Sequence, residues 1–318
     1  MKPTLLLTAL ICALALALGA CGGDDGGEGG GDGGGRGADG RGGGAQSAER
    51  PVIGIGEQGA AMFKDERFTQ LGIKKARLVT AYDAARVGFE RDLVTLWVSE
   101  ARRTGIEPFI TFGHSRVHPK KLPSVREYRR DFRAFRRRFP DVQVFAPWNE
   151  INHPNEPTSR SPRRAAEYYN AMKAECPTCT VLAGDVLDQE GMVRYLREYQ
   201  RHLDGEPAIW GLHNYADANR FRSRGLDDML TAVKGEIWLT ETGGIVKFGR
   251  SFPRDEQRAA RAVRYAIKLA RDNERVARIY LYNWTGADRG ARFDSGLVDS
   301  GLDERPALDV LREELEQQ

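Results

Sequence analysis

From Val52 onward two patterns alternate along the chain. Short runs that are apolar almost without a break are separated by longer stretches in which apolar residues return every third or fourth position. The runs are Val52–Gly56, Ala76–Thr80, Pro108–Phe112, Val142–Trp148, Thr180–Gly184, Ala208–His213, Glu236–Thr240 and Arg278–Trp284. A strand covered on both faces has no polar side to show, so continuous hydrophobicity predicts a parallel sheet. The stretches between predict helices over Arg91–Arg103, Ser124–Phe139, Pro162–Glu175, Gln189–Leu203, Leu226–Val233, Arg254–Asn273 and Arg305–Gln317. A short helix is predicted around Arg67–Leu71, and Ser161 is the expected N-cap ahead of Pro162 at the first helical position. Eight strands each followed by a helix is the count of an α/β fold of one kind, the (β/α)₈ TIM barrel, as a single domain over residues 51–318. An open doubly wound sheet is the competitor. The glycines after the first run, Gly54, Gly56 and Gly59, are not read as its phosphate-binding fingerprint.

The first fifty residues follow neither pattern. Met1-Lys2 precedes an apolar run from Leu5 to Leu18, shorter than the roughly 20 residues a spanning helix needs, so residues 1–20 read as a secretory signal. Leu18-Gly19-Ala20-Cys21 looks like a bacterial lipobox, which predicts a lipid on Cys21 and a membrane-anchored protein at the cell surface or in the periplasm. Residues 21–50, with 15 glycines between Gly22 and Gln46, predict a disordered tether with little to bury. The oxidising compartment this implies favours a local disulfide between Cys176 and Cys179. A thioredoxin-like redox pair is the alternative. It would open a helix, whereas Cys-Pro-Thr-Cys follows one here.

Charge alters the picture little. The net charge of +3 gives no reason to expect a nucleic-acid partner. The arginines between Arg126 and Arg138 share a helix with an apolar stripe of Val125, Tyr128, Phe132 and Phe135, the pattern of an outer barrel helix with one solvated face. The domain is expected to act as a monomer, without metal or cofactor.

Candidate chemistry gathers at the ends of the runs. In a barrel of this kind functional groups project from the C-terminal strand ends. These ends offer Glu57, Arg77 within the second run, His114, Asn149-Glu150, Asp185, His213-Asn214-Tyr215, Glu241 and Trp284. Two glutamates delivered by two strands of one sheet suit glycosidic-bond hydrolysis, which needs one carboxyl to protonate the leaving oxygen and another to attack or to activate water. Unpaired glutamates at buried strand tips are otherwise costly.

Asn149-Glu150 closing the fourth run and Thr240-Glu241 closing the seventh resemble the signature of clan A glycoside hydrolases, the 4/7 superfamily of retaining (β/α)₈ enzymes. His213-x-Tyr215 and Trp284 extend the resemblance. It implies Glu150 as general acid/base and Glu241 as nucleophile acting on a carbohydrate. Glu241 must be ionised to attack, and Arg77 and the Tyr215 hydroxyl are the expected donors to it. Asn149 is expected to bind the sugar 2-hydroxyl, Trp284 to offer an apolar platform, and His114, His213 and Asn214 to line the subsite. Two other readings stay open: a metal-dependent barrel using His114, Glu150, Asp185, His213 and Glu241, and a tethered carbohydrate-binding barrel without turnover.

Overall fold

The computed structural model describes residues 50–317. The expected signal, Cys21 and nearly all of the tether lie outside the described residues. The strands are β1 (Val52–Gly56), β2 (Lys75–Ala81), β3 (Glu107–Gly113), β4 (Val144–Ala146), β5 (Thr180–Val181), β6 (Asp185–Leu187), β7 (Ile209–His213), β8 (Glu236–Thr242), β9 (Lys247–Phe248), β10 (Val276–Tyr282) and β11 (Phe293–Asp294). Nine of them form one sheet in the order β5-β4-β3-β2-β1-β10-β8-β7-β6, and every neighbouring pair is parallel. The helices are α1 (Glu66–Gln70), α2 (Gly88–Arg103), α3 (Val125–Arg138), α4 (Pro162–Glu175), α5 (Met192–Gln200), α6 (Tyr215–Arg220), α7 (Arg224–Ala232), α8 (Glu256–Arg271) and α9 (Pro306–Glu316).

The two ends of the sheet are consecutive in the chain: β5 opens the predicted run Thr180–Gly184, and β6 follows directly after it. Between β5 and β6 the Leu182 amide donates to Phe145 O and the Ala183 amide to Ile209 O, both at 2.9 Å. These bonds join the two sheet ends and close a (β/α)₈ barrel. The break falls at Gly184, whose φ of +128° is reached freely only by glycine.

The barrel interior is layered. Its lower layer is apolar, with Phe109, Val144, Ala146, Leu182, Trp238 and Tyr280 in one cluster. Phe109 meets Trp238 edge-on at 5.9 Å and Tyr280 at 5.4 Å. Above it lies a polar layer of Arg77, Thr111, Asp185, His213 and Thr240, all buried. A much larger apolar core separates the sheet from the helices, and there the predicted stripe of α3 packs Phe132 and Phe135 against Phe112 and Phe145. Ser124 and Glu127 form a reciprocal cap at its start.

Several elements depart from the sequence reading. The fourth run is a strand only over Val144–Ala146. Ser161 precedes α4 without making a side-chain cap bond. Helix α6 and the small antiparallel pair β9–β11 are additions, formed after the sixth, seventh and eighth barrel strands. Cys176 and Cys179 are joined in a disulfide just after α4. Gly54, Gly56 and Gly59 do have the spacing Gly-x-Gly-x-x-Gly, but packing accounts for them. A Cβ on Gly54 would lie 2.7 Å from the Tyr280 ring. The Glu57 carboxylate accepts from the Gln58 and Gly59 amides at 2.7 and 2.8 Å, filling the loop where a phosphate would sit.

Gly211 has no room for a side chain: a Cβ there would stand 2.0 Å from Asp185 Oδ1 and 2.9 Å from Thr240 Oγ1. Gly211→Ala is therefore expected to lower stability by about 3 kcal/mol or more, read as the shift in the denaturant midpoint. A midpoint within error of wild type would show that the polar layer has slack.

Candidate active site

Arg77 sits at the centre of the polar layer, on the inner face of β2, its guanidinium 5.7 Å above the Phe109 ring. Its Nε donates to Thr111 Oγ1 (3.0 Å) and its Nη1 to Glu241 Oε2 (2.8 Å). Nη2 donates to Asn149 Oδ1 and to Asp185 Oδ2, both at 2.7 Å. Burial works against this cation, but the charges of Asp185 and Glu241 outweigh it and raise its pKa. Asp185 is equally buried. Arg77 and His213 nevertheless hold its carboxyl well below the usual carboxylate range, and Thr240 and Thr111 donate to it at 2.8 and 3.1 Å.

His213, at the tip of β7, lies between Glu150 and Asp185. Its Nδ1 lies 3.2 Å from Glu150 Oε1 and its Nε2 3.7 Å from Asp185 Oδ2. The same Nε2 is 3.2 Å from Arg77 Nη2, but both hydrogens of Nη2 are already placed on Asn149 and Asp185. His213 therefore carries its own proton on Nε2. Burial opposes the imidazolium, yet Glu241, Asp185 and Glu150 together push its pKa up to about 9.

Glu241 lies within β8, near its end, with its carboxylate held on both oxygens. Arg77 takes Oε2, and the Tyr215 hydroxyl donates to Oε1 at 3.2 Å. Burial and the Glu241 charge raise the Tyr215 pKa well above the ordinary phenol value, so the hydroxyl keeps the proton it donates. Tyr215 is itself fixed from behind by an apolar group of Ile245, Phe248, Phe252 and Phe293, which the β9–β11 pair brings over the barrel mouth.

Glu150 follows β4 on a backbone with φ +46°, in the left-handed region that non-glycine residues rarely enter. Its neighbours hold it there. The Asn149 amide donates to Phe112 O (2.6 Å) and the Ile151 amide to Asp185 O (2.9 Å), which ties the turn to the strands on either side. Strain confined to one residue between two such anchors is typical of functional positions.

The structure brings Glu150, Glu241, Asn149, Arg77, His213 and Tyr215 into one hydrogen-bonded group. His114 stands at its edge in a cleft shared with Gln58, Arg116, Asn149, Glu156 and Tyr282. Its Nδ1 is 2.9 Å from Glu156, which raises its pKa against the effect of burial. Asn214 is buried, and its amide atoms meet no protein partner among the described residues.

Trp284 is a correction. Strand β10 stops at Tyr282, and Trp284 turns away, fully buried, with its Nε1 on Asp65 Oδ2 (3.1 Å) and its ring edge-on to Phe68. A side chain packed that way cannot be a sugar platform. Tyr282 lies at the cleft instead. Sequence reasoning also missed Glu156, which accepts from Trp148 Nε1 at 2.9 Å, and Thr111. A lone threonine in the apolar run Phe109-Ile110-Thr111-Phe112 was the available signal for the latter. Glu57 is a structural tie: its second oxygen accepts from the Thr285 amide at 2.9 Å.

No three His, Cys, Asp or Glu side chains are grouped to hold a metal ion among the described residues. The centre of the acidic group is filled by the Arg77 guanidinium.

The family model described as the glycosyl hydrolase catalytic core matches residues 123–304, more than half of the chain. The chain belongs to that family. The glycosyl hydrolase catalytic core of this protein is similar in fold to several solved enzymes. One is the GH5_18 enzyme from Streptomyces cattleya in complex with GlcNAc, at 15% identity and a TM-score of 0.60, covering 85% of this chain and 81% of that one. A GH39 β-xylosidase from Caulobacter crescentus matches at 16% identity and a TM-score of 0.58, over 82% and 70% of the two chains. A family 39 glycoside hydrolase from Bacteroides cellulosilyticus WH2 matches at 15% identity and a TM-score of 0.57, over 84% of this chain. The chain spans 64% of that enzyme's length, under two thirds. No curated protein sequence matches the chain.

The charged His213 contributes stability that is fully present below the ordinary histidine value near 6.5 and is lost as pH rises through about 9. The thermal midpoint is expected to fall between pH 6.5 and 9.5, with a flatter profile in His213→Gln. Equal slopes in the two proteins would show that His213 is neutral when folded.

Proposed function

We propose that this glycoside hydrolase cleaves an O-glycosidic bond with retention of configuration, Glu241 acting as nucleophile and Glu150 as general acid/base. The observation that supports the reading is the buried path from one glutamate to the other: Arg77 donates to Glu241 and to Asp185, and His213 lies 3.7 Å from Asp185 and 3.2 Å from Glu150. Arg77 and Tyr215 keep Glu241 anionic and aimed. Its carboxylate attacks the anomeric carbon while Glu150 protonates the departing oxygen, leaving a glycosyl ester on Glu241. Glu150, now ionised, takes a proton from water, and the hydroxide displaces Glu241 from the opposite side.

Asn149 is placed to assist. Its Oδ1 is committed to Arg77, so the amide is fixed with its NH₂ group as the remaining donor, suited to a sugar hydroxyl oxygen. Tyr282 takes the platform role that Trp284 cannot. A donor that strengthens its bond as charge develops at the sugar stabilises the transition state more than the ground state.

The test is a panel of nitrophenyl glycosides and polysaccharides with product anomers followed by NMR. Retention is expected, Glu150→Gln lowering kcat by about 10²–10⁴-fold and Glu241→Gln by more. Inverted product, or activity indifferent to both substitutions, overturns the assignment.

The lipid anchor belongs to the same proposal. The Leu18-Gly19-Ala20-Cys21 pattern supports acylation of Cys21. Cys21→Ser is expected to abolish incorporation of labelled fatty acid and to shift the protein from the membrane to the soluble fraction. Unchanged labelling would remove Cys21 as the site.

A further inference from the structure

A second hollow, which shares no lining residue with the His114 cleft, is not used by the proposed chemistry. It has a volume of about 530 Å³ and opens between the loop leading into α4 and the wall of α5. Four arginines line it: Arg160 from the loop, and Arg194, Arg197 and Arg201 from α5 and its C-terminal cap. Positions 194, 197 and 201 are three and four residues apart and so share one helix face. Two carboxylates also line the hollow. Glu198 is spent on Arg201 (2.6 Å) and His202 (3.1 Å), and Glu190 is exposed at the rim. Arg160, Arg194 and Arg197 have no ion-pair partner among the described residues, although most other arginines of the domain are engaged.

Like charges gathered in a concavity repel unless an anion joins them, and a guanidinium is suited to bidentate contact with a carboxylate or a sulfate ester. The floor of the hollow is rigidly fastened to the proposed acid/base. Asn152, two residues after Glu150, exchanges bonds with Leu187 N and O at 2.8 and 2.9 Å, and Gln189 Nε2 donates to Asn152 O at 2.7 Å. Asn152 and Gln189 both line the hollow. A group bound there is held in register with the barrel mouth.

We propose that this hollow is a distal subsite for an anionic sugar, so that the polysaccharide cut at Glu150 and Glu241 carries carboxylate or sulfate groups along its chain. The inference rests on the glycosidase reading, but its test does not read turnover. The full chain carrying Glu241→Gln is titrated calorimetrically with tetragalacturonic acid, with a sulfated carrageenan tetrasaccharide and with neutral cellotetraose. At least one acidic oligosaccharide is expected to bind more tightly than the neutral one and to weaken as salt rises. Adding Arg194→Gln and Arg197→Gln, both at exposed positions, is expected to weaken that binding about tenfold or more and to leave cellotetraose unaffected. The arm that binds identifies carboxylate or sulfate as the group recognised. Acidic oligosaccharides that bind no better than neutral ones, or that bind the arginine variant as well as its parent, overturn the proposal. Failure of the glycosidase reading would appear separately, as undiminished hydrolysis by Glu241→Gln.

Discussion

Burying the Arg77 guanidinium inside the barrel is the constraint from which the rest of the site follows. An ion moved out of water loses hydration worth several kcal/mol even after the protein relaxes, and only close, complete pairing recovers it. Arg77 meets that demand with four hydrogen bonds to Thr111, Glu241, Asn149 and Asp185. Each partner is pinned in turn, because removing it would strand a charge or an unpaired donor. A side chain on Gly211 would collide with Asp185 Oδ1, and Thr240 and Thr111 supply the short hydroxyls that donate to the two Asp185 oxygens. The apolar layer below, with Phe109 under the guanidinium, keeps water out and strengthens every contact above it.

The arrangement that makes burial tolerable would also preorganise the proposed chemistry. Donors fixed before substrate arrives do not have to reorient as charge moves, which is the largest single contribution in many enzymes. Glu241 is held on both oxygens, Asn149 has its acceptor occupied and its donor group left, and His213 connects Glu150 to the same web. The unusual backbone of Glu150 fits the same scheme: a left-handed residue anchored on both sides has one direction in which to point.

Much of this was legible in the sequence, for physical reasons that differ by position. The barrel could be read because strands covered on both faces lose their polar positions, leaving runs such as Arg278–Trp284 apolar over most of their length. The burial of Glu150 and Glu241 in one polar group could be read because acids at the ends of such runs have no cheap structural explanation. Trp284 was misplaced because an apolar run does not announce where its strand stops. Two residues past the end of β10 the chain has turned into the helix layer, and the aromatic at the cleft is Tyr282. Glu156 was hidden in a loop, where neither period constrains a side chain. The glycine spacing at Gly54–Gly59 misleads in the opposite direction: close packing against Tyr280 and a self-capping Glu57 produce the pattern of a nucleotide loop without its function.

Loops also divide the labour of the site. The barrel strands supply Arg77, Asp185, His213 and Glu241, the buried charged groups at its centre. The connections hold these groups in place. The β9–β11 pair and its Phe248 and Phe293 fix the Tyr215 ring and so steady Glu241 through its hydrogen bond. Asp294, clamped by two bonds from Arg305 at 2.8 Å and one from Arg254 at 3.0 Å, fastens that roof to the start of α9 and the approach to α8. On the opposite flank the Asn152–Leu187–Gln189 bonds join the Glu150 turn to the arginine-lined hollow. Rigid roof and rigid flank impose the same requirement from two sides, because a polymer gripped away from the cut transmits its binding energy to the reacting carbon only through a scaffold that does not yield.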